Sequence, residues 1–302
     1  MAIEREIWTD YIAENRYMNN EFLNNCVIQD SNVNYKTVNL SSAGTAAGIT
    51  RNRTVLPAAV TQRTDLPISY DIDEFTIDPV HIPNAEEVEL AYDKLNSVMY
   101  DTTRGLNDEV GDWMLYNWRV TSSSYQIRTT GGSASAHLTG ATGNRKKLLA
   151  ADIQTAARDL YHAKGTDPER YLLLDAYMYD QLLMDLRFGE FRDTIKEADL
   201  ARGIIGNLHG FLIMRRHTVL DYTNASTPVP REPGAAALTS ANAAGVCWEK
   251  SAVERAFGDI KFFENLDDAG YYGSYYSGLI RAGGRKRRYD GKGVVAIIQT
   301  AV

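Results

Sequence analysis

The densest positive charge in the chain lies in RAGGRKRRYDGKG, residues 281–293, which holds six Lys or Arg residues and one Asp. Clustered basic groups bind phosphates or carboxylates, so this segment could contact nucleic acid or an acidic protein surface. The segment contributes +5 to a net charge of −7, so the other residues sum to −12. Because a duplex DNA-binding domain has a broad basic face, this local cluster favours contact with an acidic neighbour.

Motifs for nucleotide or hydrolytic chemistry are incomplete. The strings TGATGNRKK and DGKG approach a phosphate-binding loop but lack its spacing of glycine, lysine and serine or threonine. The glycines of GIIGNLHG do not follow the dinucleotide-binding order and favour a turn between strands. Ser133 and Ser135 lie near His137, but no G-x-S-x-G string is present. We therefore predict that the protein is not an enzyme and needs no cofactor.

The spacing of metal-ligand residue types also favours structural roles. Asp71, Asp73 and Glu74 are typical of a solvated strand edge as much as of a metal site, and we favour the edge. Cys26 and Cys247 lie far apart and are expected to remain thiols in a reducing compartment. We predict no metal site, since no histidine pair with HExxH spacing is found among His81, His137, His162, His209 and His217.

Tyrosines cluster between residues 271 and 276, where Tyr271, Tyr272, Tyr275 and Tyr276 are interrupted by glycine and serine. Rings beside arginines can stack on bases of single-stranded nucleic acid. Tyrosine, tryptophan and arginine are equally enriched in protein interfaces. Because the chain lacks a broad positive surface, a protein interface is the favoured interpretation.

The first third of the chain is not expected to fold independently. Residues 1–31 are mixed polar and aromatic, and residues 32–83 are rich in Thr, Val, Ile, Gly and Pro, with strand-like alternation at Ile68, Tyr70 and Ile72. About fifty residues of strand and loop with few large side chains cannot form a core alone. We therefore expect this segment to lie against other surfaces.

A long amphipathic helix is predicted from Asn84 to about Arg119. Asn84 can cap the first turn while Glu87 completes a capping box, and an apolar stripe follows at intervals of three or four. At about 1.5 Å per residue the helix would span about 50 Å, and Gly105 and Gly111 could mark a bend.

The second half of the chain has alternating helix and strand patterns. The segment TSSSYQIRTTGGSASAHLTGATGNRKK is predicted to be a loop or hinge, and from Leu148 onward helix and strand patterns alternate. Near the end, Asp290–Gly291 predicts a tight hairpin with the basic cluster on the strand that enters it.

The order of these elements resembles the major capsid proteins of tailed bacteriophages with the HK-ninety-seven-like fold. The segment SYDIDEFTIDPVHIPNAEEVELAYDKLNSVMYD resembles the end of the family's extended loop running into its spine helix. GIIGNLHGFLIMRRHTVL resembles the stretch before a buried strand of the axial domain, and GLIRAGGRKRRYDGKGVVAIIQ resembles the closing hairpin.

The resemblance implies an α+β fold in five segments. They are an N-terminal arm (1–31), an extended β-hairpin loop (32–83), a peripheral domain with the spine helix (84–147), an α/β axial domain (148–258) and return strands that complete the peripheral domain (259–302). It also implies that many copies form hexamers and pentamers and close an icosahedral shell around double-stranded DNA, held non-specifically. Charge complementarity then suggests contacts between subunits through Arg51, Arg53, Glu86, Glu87, Arg285, Arg287 and Arg288.

The same resemblance implies partners and a location. A separate scaffolding protein, a portal and a decoration protein are expected, with assembly in the host cytoplasm and the product in the virion. The chain lacks long apolar runs and a basic, apolar opening segment, so we expect it neither to span a membrane nor to be secreted.

Three alternatives stay open. An encapsulin-like nanocompartment shell would share the architecture but enclose protein. A soluble α/β enzyme would use the mixed elements after Leu148. A single-stranded nucleic-acid binder would use the tyrosines with Arg285 and Arg287, and its binding would be strongly salt-dependent.

Overall fold

The computed structural model describes residues 20–34, 36–42, 48–54, 56–57, 60, 62, 66–83, 94–162, 169–188, 206–288 and 291–302. The α-helices within these ranges are α1 (Lys94–Asn117), α2 (Ala150–His162) and α3 (Ala176–Phe188). The strands are β1 (Val27–Ile28), β2 (Val33–Asn34), β3 (Thr37–Ser42), β4 (Leu66–Asp71), β5 (Asp73–Thr76), β6 (Val80–Pro83), β7 (Gln126–Arg128), β8 (Ser133–Ser135), β9 (Asn144–Lys146), β10 (Arg170–Asp175), β11 (Asn207–Leu208), β12 (Phe211–Arg216), β13 (Leu220–Tyr222), β14 (Asn242–Glu249), β15 (Val253–Asp268), β16 (Gly273–Lys286) and β17 (Val294–Ile298).

A seven-stranded mixed sheet organises the α/β part. Its order is β11-β12-β10-β14-β17-β7, with β13 also paired to β14, and the β10–β12 and β17–β7 pairs are parallel. All residues of β10, β14 and β17 are buried, because α2 and α3 cover one face while α1 and the Trp118–Trp248 pair cover the other. Burial on both faces explains why these strands are continuous apolar runs in the sequence.

A second sheet is built on the long antiparallel pair β15–β16. Strand β1 lies parallel to one edge, while β5 and β6 pair with different halves of β16. Gly283 allows close packing here, since a Cβ at that position would lie 2.8 Å from Ile72 Cγ2. Residues 73–83 are therefore held on the body of their own subunit.

The extended hairpin is formed by β3 and β4 with the residues between them. Its pairing runs from Thr37–Asp71 to Ser42–Leu66, and β2 adds a short third strand. This confirms the strand predicted from alternation at Ile68 and Tyr70.

The predicted long helix is present as α1. It ends at Asn117, two residues before the predicted end, whereas the predicted start and cap at Asn84 lie outside the described residues. Gly111 serves packing, because a Cβ there would overlap the Asn20 side chain and lie 2.8 Å from Arg216 Nη2.

Two predictions were wrong in detail. The segment after α1 was predicted as a loop, but it contains β7, β8 and β9, because β7 finds a partner edge in β17 despite the Gly- and Ser-rich sequence around it. The predicted closing hairpin does not form between the described strands: β17 pairs with β14 and β7 in the other sheet rather than with β16, whereas Asp290 of the predicted turn lies outside the described residues. The five-segment division of the chain stays a prediction.

Candidate functional site

The predicted basic cluster lies against a buried carboxylate of its own chain. The Glu254 side chain is fully buried, and Arg285 Nε donates to its Oε1 at 2.8 Å. Arg287 Nε lies 3.4 Å from Glu254 Oε2, and Gln29 Nε2 donates to the same oxygen at 3.4 Å. Since a buried carboxylate must be paired, these two arginines neutralise Glu254, and Arg285 keeps only 17% of its side chain exposed.

The neighbouring residue, Arg255, fixes the N-terminal segment. Its side chain is 1% exposed, its Nε donates to the Leu23 carbonyl at 2.8 Å, and its Nη1 lies 3.3 Å from the Asp30 carboxylate. Asp30 Oδ1 also accepts the Phe257 N–H at 2.9 Å. Residues 20–32 are thereby held on β15 by charge-assisted hydrogen bonds, which sequence patterns did not predict because the partners are more than 200 positions apart.

The same cluster reaches the base of the extended hairpin. The Arg285 guanidinium lies 5.2 Å from the centre of the Tyr70 ring. Burial, followed by the charge of Glu254, raises the pKa of the Tyr70 hydroxyl above its usual value. Tyr70 therefore stays a neutral ring at the junction between the hairpin and the body.

The distal part of the extended hairpin is exposed, in contrast to the arginines that pair with buried Glu254. Arg51 and Arg53 lie in what we call the basic turn, residues 48–54, whose residues are all exposed. Ile49 is 100% exposed, and Leu56 and Val60 are 78% and 97% exposed. Within the described part of the chain, neither arginine makes an ion pair; Arg53 Nη2 donates to Thr50 Oγ1 at 3.3 Å. Exposed aliphatic side chains beside arginines are typical of a protein interface.

The four clustered tyrosines divide into two groups. Tyr276 is buried against Phe262, and the Tyr275 ring lies tilted against the His81 ring, with the ring centres 4.9 Å apart. Tyr271 and Tyr272 are 64% and 80% exposed at the end of the β15–β16 hairpin. Two of the four rings are thus available to a partner.

The remaining predicted residues take separate places. Arg288 is exposed just beyond β16, whereas Glu86 and Glu87 lie outside the described residues. Asp71, Asp73 and Glu74 contact Thr37, Trp113 and Arg281, respectively. Across the described ranges, no group of three or more metal-ligand side chains has the geometry to hold an ion.

A pair that the sequence did not predict joins His137 to Asp175. His137 Nε2 lies 2.8 Å from Asp175 Oδ2, and both side chains are buried. Asp175 Oδ1 accepts the Met178 N–H at 2.6 Å, at the start of α3. The carboxylate thus caps a helix and fixes the loop after β8, which is a structural role.

The architecture is similar to that of solved bacteriophage capsid structures. The chain matches the capsid structure of the cyanophage P-SCSP1u with a TM-score of 0.64 and 17% identity, over 92% of this chain and 86% of that one. It matches the capsid of Ralstonia phage GP4 with a TM-score of 0.62 and 11% identity, over 92% and 87%.

This chain has the HK-ninety-seven-like capsid fold. The fold also relates it to a virus-like particle from Pyrococcus furiosus, with a TM-score of 0.55 and 9% identity over 97% of this chain and 99% of that one. No family model and no curated protein matches the sequence. In the part of this capsid fold that the structure describes, no helix is long and apolar enough to cross a bilayer.

Proposed function

We propose that the protein is a major capsid protein whose copies assemble into an icosahedral shell. The observation that carries this proposal is the extended hairpin, which exposes Ile49, Leu56 and Val60 in a chain with the capsid fold over nearly its whole length. Burying those side chains against a second copy would stabilise the assembly by roughly 1.5–3 kcal/mol for each fully buried residue. Assembly, rather than catalysis, is the function that this surface supports.

The shell is built from five-fold and six-fold capsomers and encloses double-stranded DNA without sequence recognition. The net charge of −7 supports this, because a strongly basic lining would bind the genome tightly. A separate scaffolding protein, a portal and a decoration protein complete the particle, which forms in the host cytoplasm and becomes part of the virion.

Contacts between subunits use Arg51 and Arg53, with Glu86 and Glu87 among the carboxylates that receive them. Arg288 and the exposed part of Arg287 form a second basic contact surface. Arg285 contributes chiefly by holding Glu254 and Tyr70 in place.

The test is expression of the chain alone and with its neighbouring genes, followed by sedimentation velocity and negative-stain electron microscopy. We expect capsomers or closed shells of uniform diameter. A stable monomer under all these conditions would contradict the proposal and favour the soluble-enzyme alternative.

The cargo separates a capsid from a nanocompartment shell. Particles made during infection are treated with nuclease, and their content is then extracted. Nuclease-resistant double-stranded DNA supports the capsid, whereas a protein cargo without DNA supports the nanocompartment.

The nucleic-acid binder is tested by measuring how the unassembled subunit binds single strands at several salt concentrations. That alternative predicts binding that weakens steeply with salt and is abolished by Arg287→Glu.

A further inference from the structure

The end of the β15–β16 hairpin presents aromatic and acidic side chains together. We call residues 264–272 the tyrosine turn; its sequence ENLDDAGYY holds three carboxylates and no lysine or arginine. Tyr271 and Tyr272 are mostly exposed there, and Asp267, four positions before Tyr271, is exposed in the same turn. An aromatic face next to a carboxylate attracts a cation by both its quadrupole and its charge.

The tyrosine turn is held in one shape by its own hydrogen bonds. The Asp268 carbonyl accepts the N–H groups of Tyr271 and Tyr272 at 3.2 and 2.8 Å, and Asp268 Oδ1 accepts the Gly270 N–H at 2.8 Å. The Tyr271 ring meets the Tyr275 ring edge-on, with the ring centres 5.1 Å apart. Rings that are already ordered lose less conformational entropy when a partner binds.

The basic turn has the complementary character. The basic turn, residues 48–54, and the residues that follow it up to position 62 contain Arg51 and Arg53 and no acidic residue. The exposed Ile49 and Val60 side chains add apolar surface that the tyrosine rings could cover. By contrast, Arg285 and Arg287 are paired with Glu254, and Arg281 is paired with Glu74.

The two surfaces do not cover each other within one subunit, since Ile49 is 100% exposed and Tyr272 is 80% exposed in the same chain. A contact between two different surfaces of identical copies is head-to-tail, and such contacts close into rings when the rotation permits. We propose that the basic turn of one copy binds the tyrosine turn of the next, with arginine over the tyrosine faces and beside Asp267. This inference rests on the proposed capsid function and specifies one of its contacts.

Disulfide trapping tests the contact directly. The variant Arg51→Cys/Tyr271→Cys is assembled and then oxidised. The two native cysteines do not interfere, because Cys26 and Cys247 are 2% and 0% exposed, and burial raises the pKa of the Cys26 thiol to about 12. We expect a ladder of covalently linked chains on a non-reducing gel that disappears on reduction.

Two control variants define the background. Arg51→Cys alone should give no ladder, and Arg51→Cys/Arg158→Cys places the second thiol on α2, where the Arg158 side chain is 72% exposed. Intact particles with no more linkage than this control would overturn the contact and leave the capsid function standing. Failure of the unmodified chain to form capsomers or shells would overturn the capsid function itself.

Charge exchange is an independent test. Arg51→Glu/Arg53→Glu and Glu264→Lys/Asp267→Lys should each raise the concentration needed for assembly by about tenfold or more, through like-charge contacts. Combining the four substitutions should recover much of that loss, and Lys261→Glu on β15 should have little effect. Normal assembly of either charge-reversed variant, or a combination worse than both, would overturn the proposal.

Discussion

Two groups of arginines in this protein have opposite surroundings. Arg285 and Arg287 flank the fully buried carboxylate of Glu254, whereas Arg51 and Arg53 lie in an exposed turn beside exposed aliphatic side chains. A buried charge that loses its partner is costly, while exposed charges contribute little to the stability of one subunit. The denser cluster therefore stabilises the subunit, and the sparser pair is available to another copy.

The difference follows from sheet topology. Glu254 and Arg285 are directly opposite each other across β15 and β16, so their side chains meet on one face of the pair. The residues between β3 and β4 connect the ends of a hairpin, and the described ones have no neighbouring strand. Local charge density in the sequence consequently says little about which arginines a partner can reach.

The largest effect on subunit stability is expected at the ion pairs that Arg285 and Arg287 form with buried Glu254. Arg285→Ala/Arg287→Ala leaves the fully buried Glu254 carboxylate without its cations and should lower the free energy of unfolding by about 3–5 kcal/mol. Urea unfolding of the unassembled subunit measures this value. The matched control is Glu74→Ala, whose ion pair with Arg281 is partly exposed and worth at most about 1 kcal/mol. Equal effects of the two variants would contradict the structural role of Glu254.

A smaller loss of subunit stability is expected from overpacking between α1 and Asn20, and it tests whether the N-terminal segment is fixed on this helix. Gly111→Ala would force its Cβ into the Asn20 side chain, which should cost about 1–3 kcal/mol in overpacking. On the same helix, Gly105→Ala meets no atom within 4 Å and should stabilise the subunit by about 0.5–1 kcal/mol through helix propensity. Thermal unfolding of both variants gives the comparison, and equal changes would show that Asn20 is free to move away.

Sequence reasoning predicted the helices and strands better than it predicted which strands pair with each other. Apolar runs predicted β10 and β12, and spacing predicted α1, because local periodicity reflects burial. It failed at β7 and at the supposed closing hairpin, since both depend on which strand becomes the partner in the folded chain. The choice of partner strand is a property of the whole topology and not of the local sequence.

The smallest effect on subunit stability is expected at the basic turn. Arg51→Glu/Arg53→Glu should change the free energy of unfolding by less than about 0.5 kcal/mol, because exposed substitutions rarely do more. Assembly should nevertheless be lost or strongly weakened, as measured by sedimentation velocity. A destabilised subunit would show instead that the turn packs on its own chain.

At the candidate site, the sequence likewise failed to indicate ion pairs between segments that are far apart in the chain. Arg51 and Arg53 were proposed as contact residues from the family resemblance, which implies that they lie near the loop tip, and from charge complementarity. The pairing of Arg255 with Asp30 and of His137 with Asp175 joins distant segments, so no local motif indicates it. The carboxylate that neutralises Arg285 lies 31 positions earlier, and only the register of β15 on β16 identifies it.

The most direct test of the account is a cryo-electron microscopy reconstruction of the assembled particle at side-chain resolution. The account predicts that residues 48–62 of each copy lie on a neighbouring copy and that Ile49 and Val60 lose most of their exposure there. A reconstruction in which those residues fold back onto their own subunit, with no other chain covering them, would contradict it.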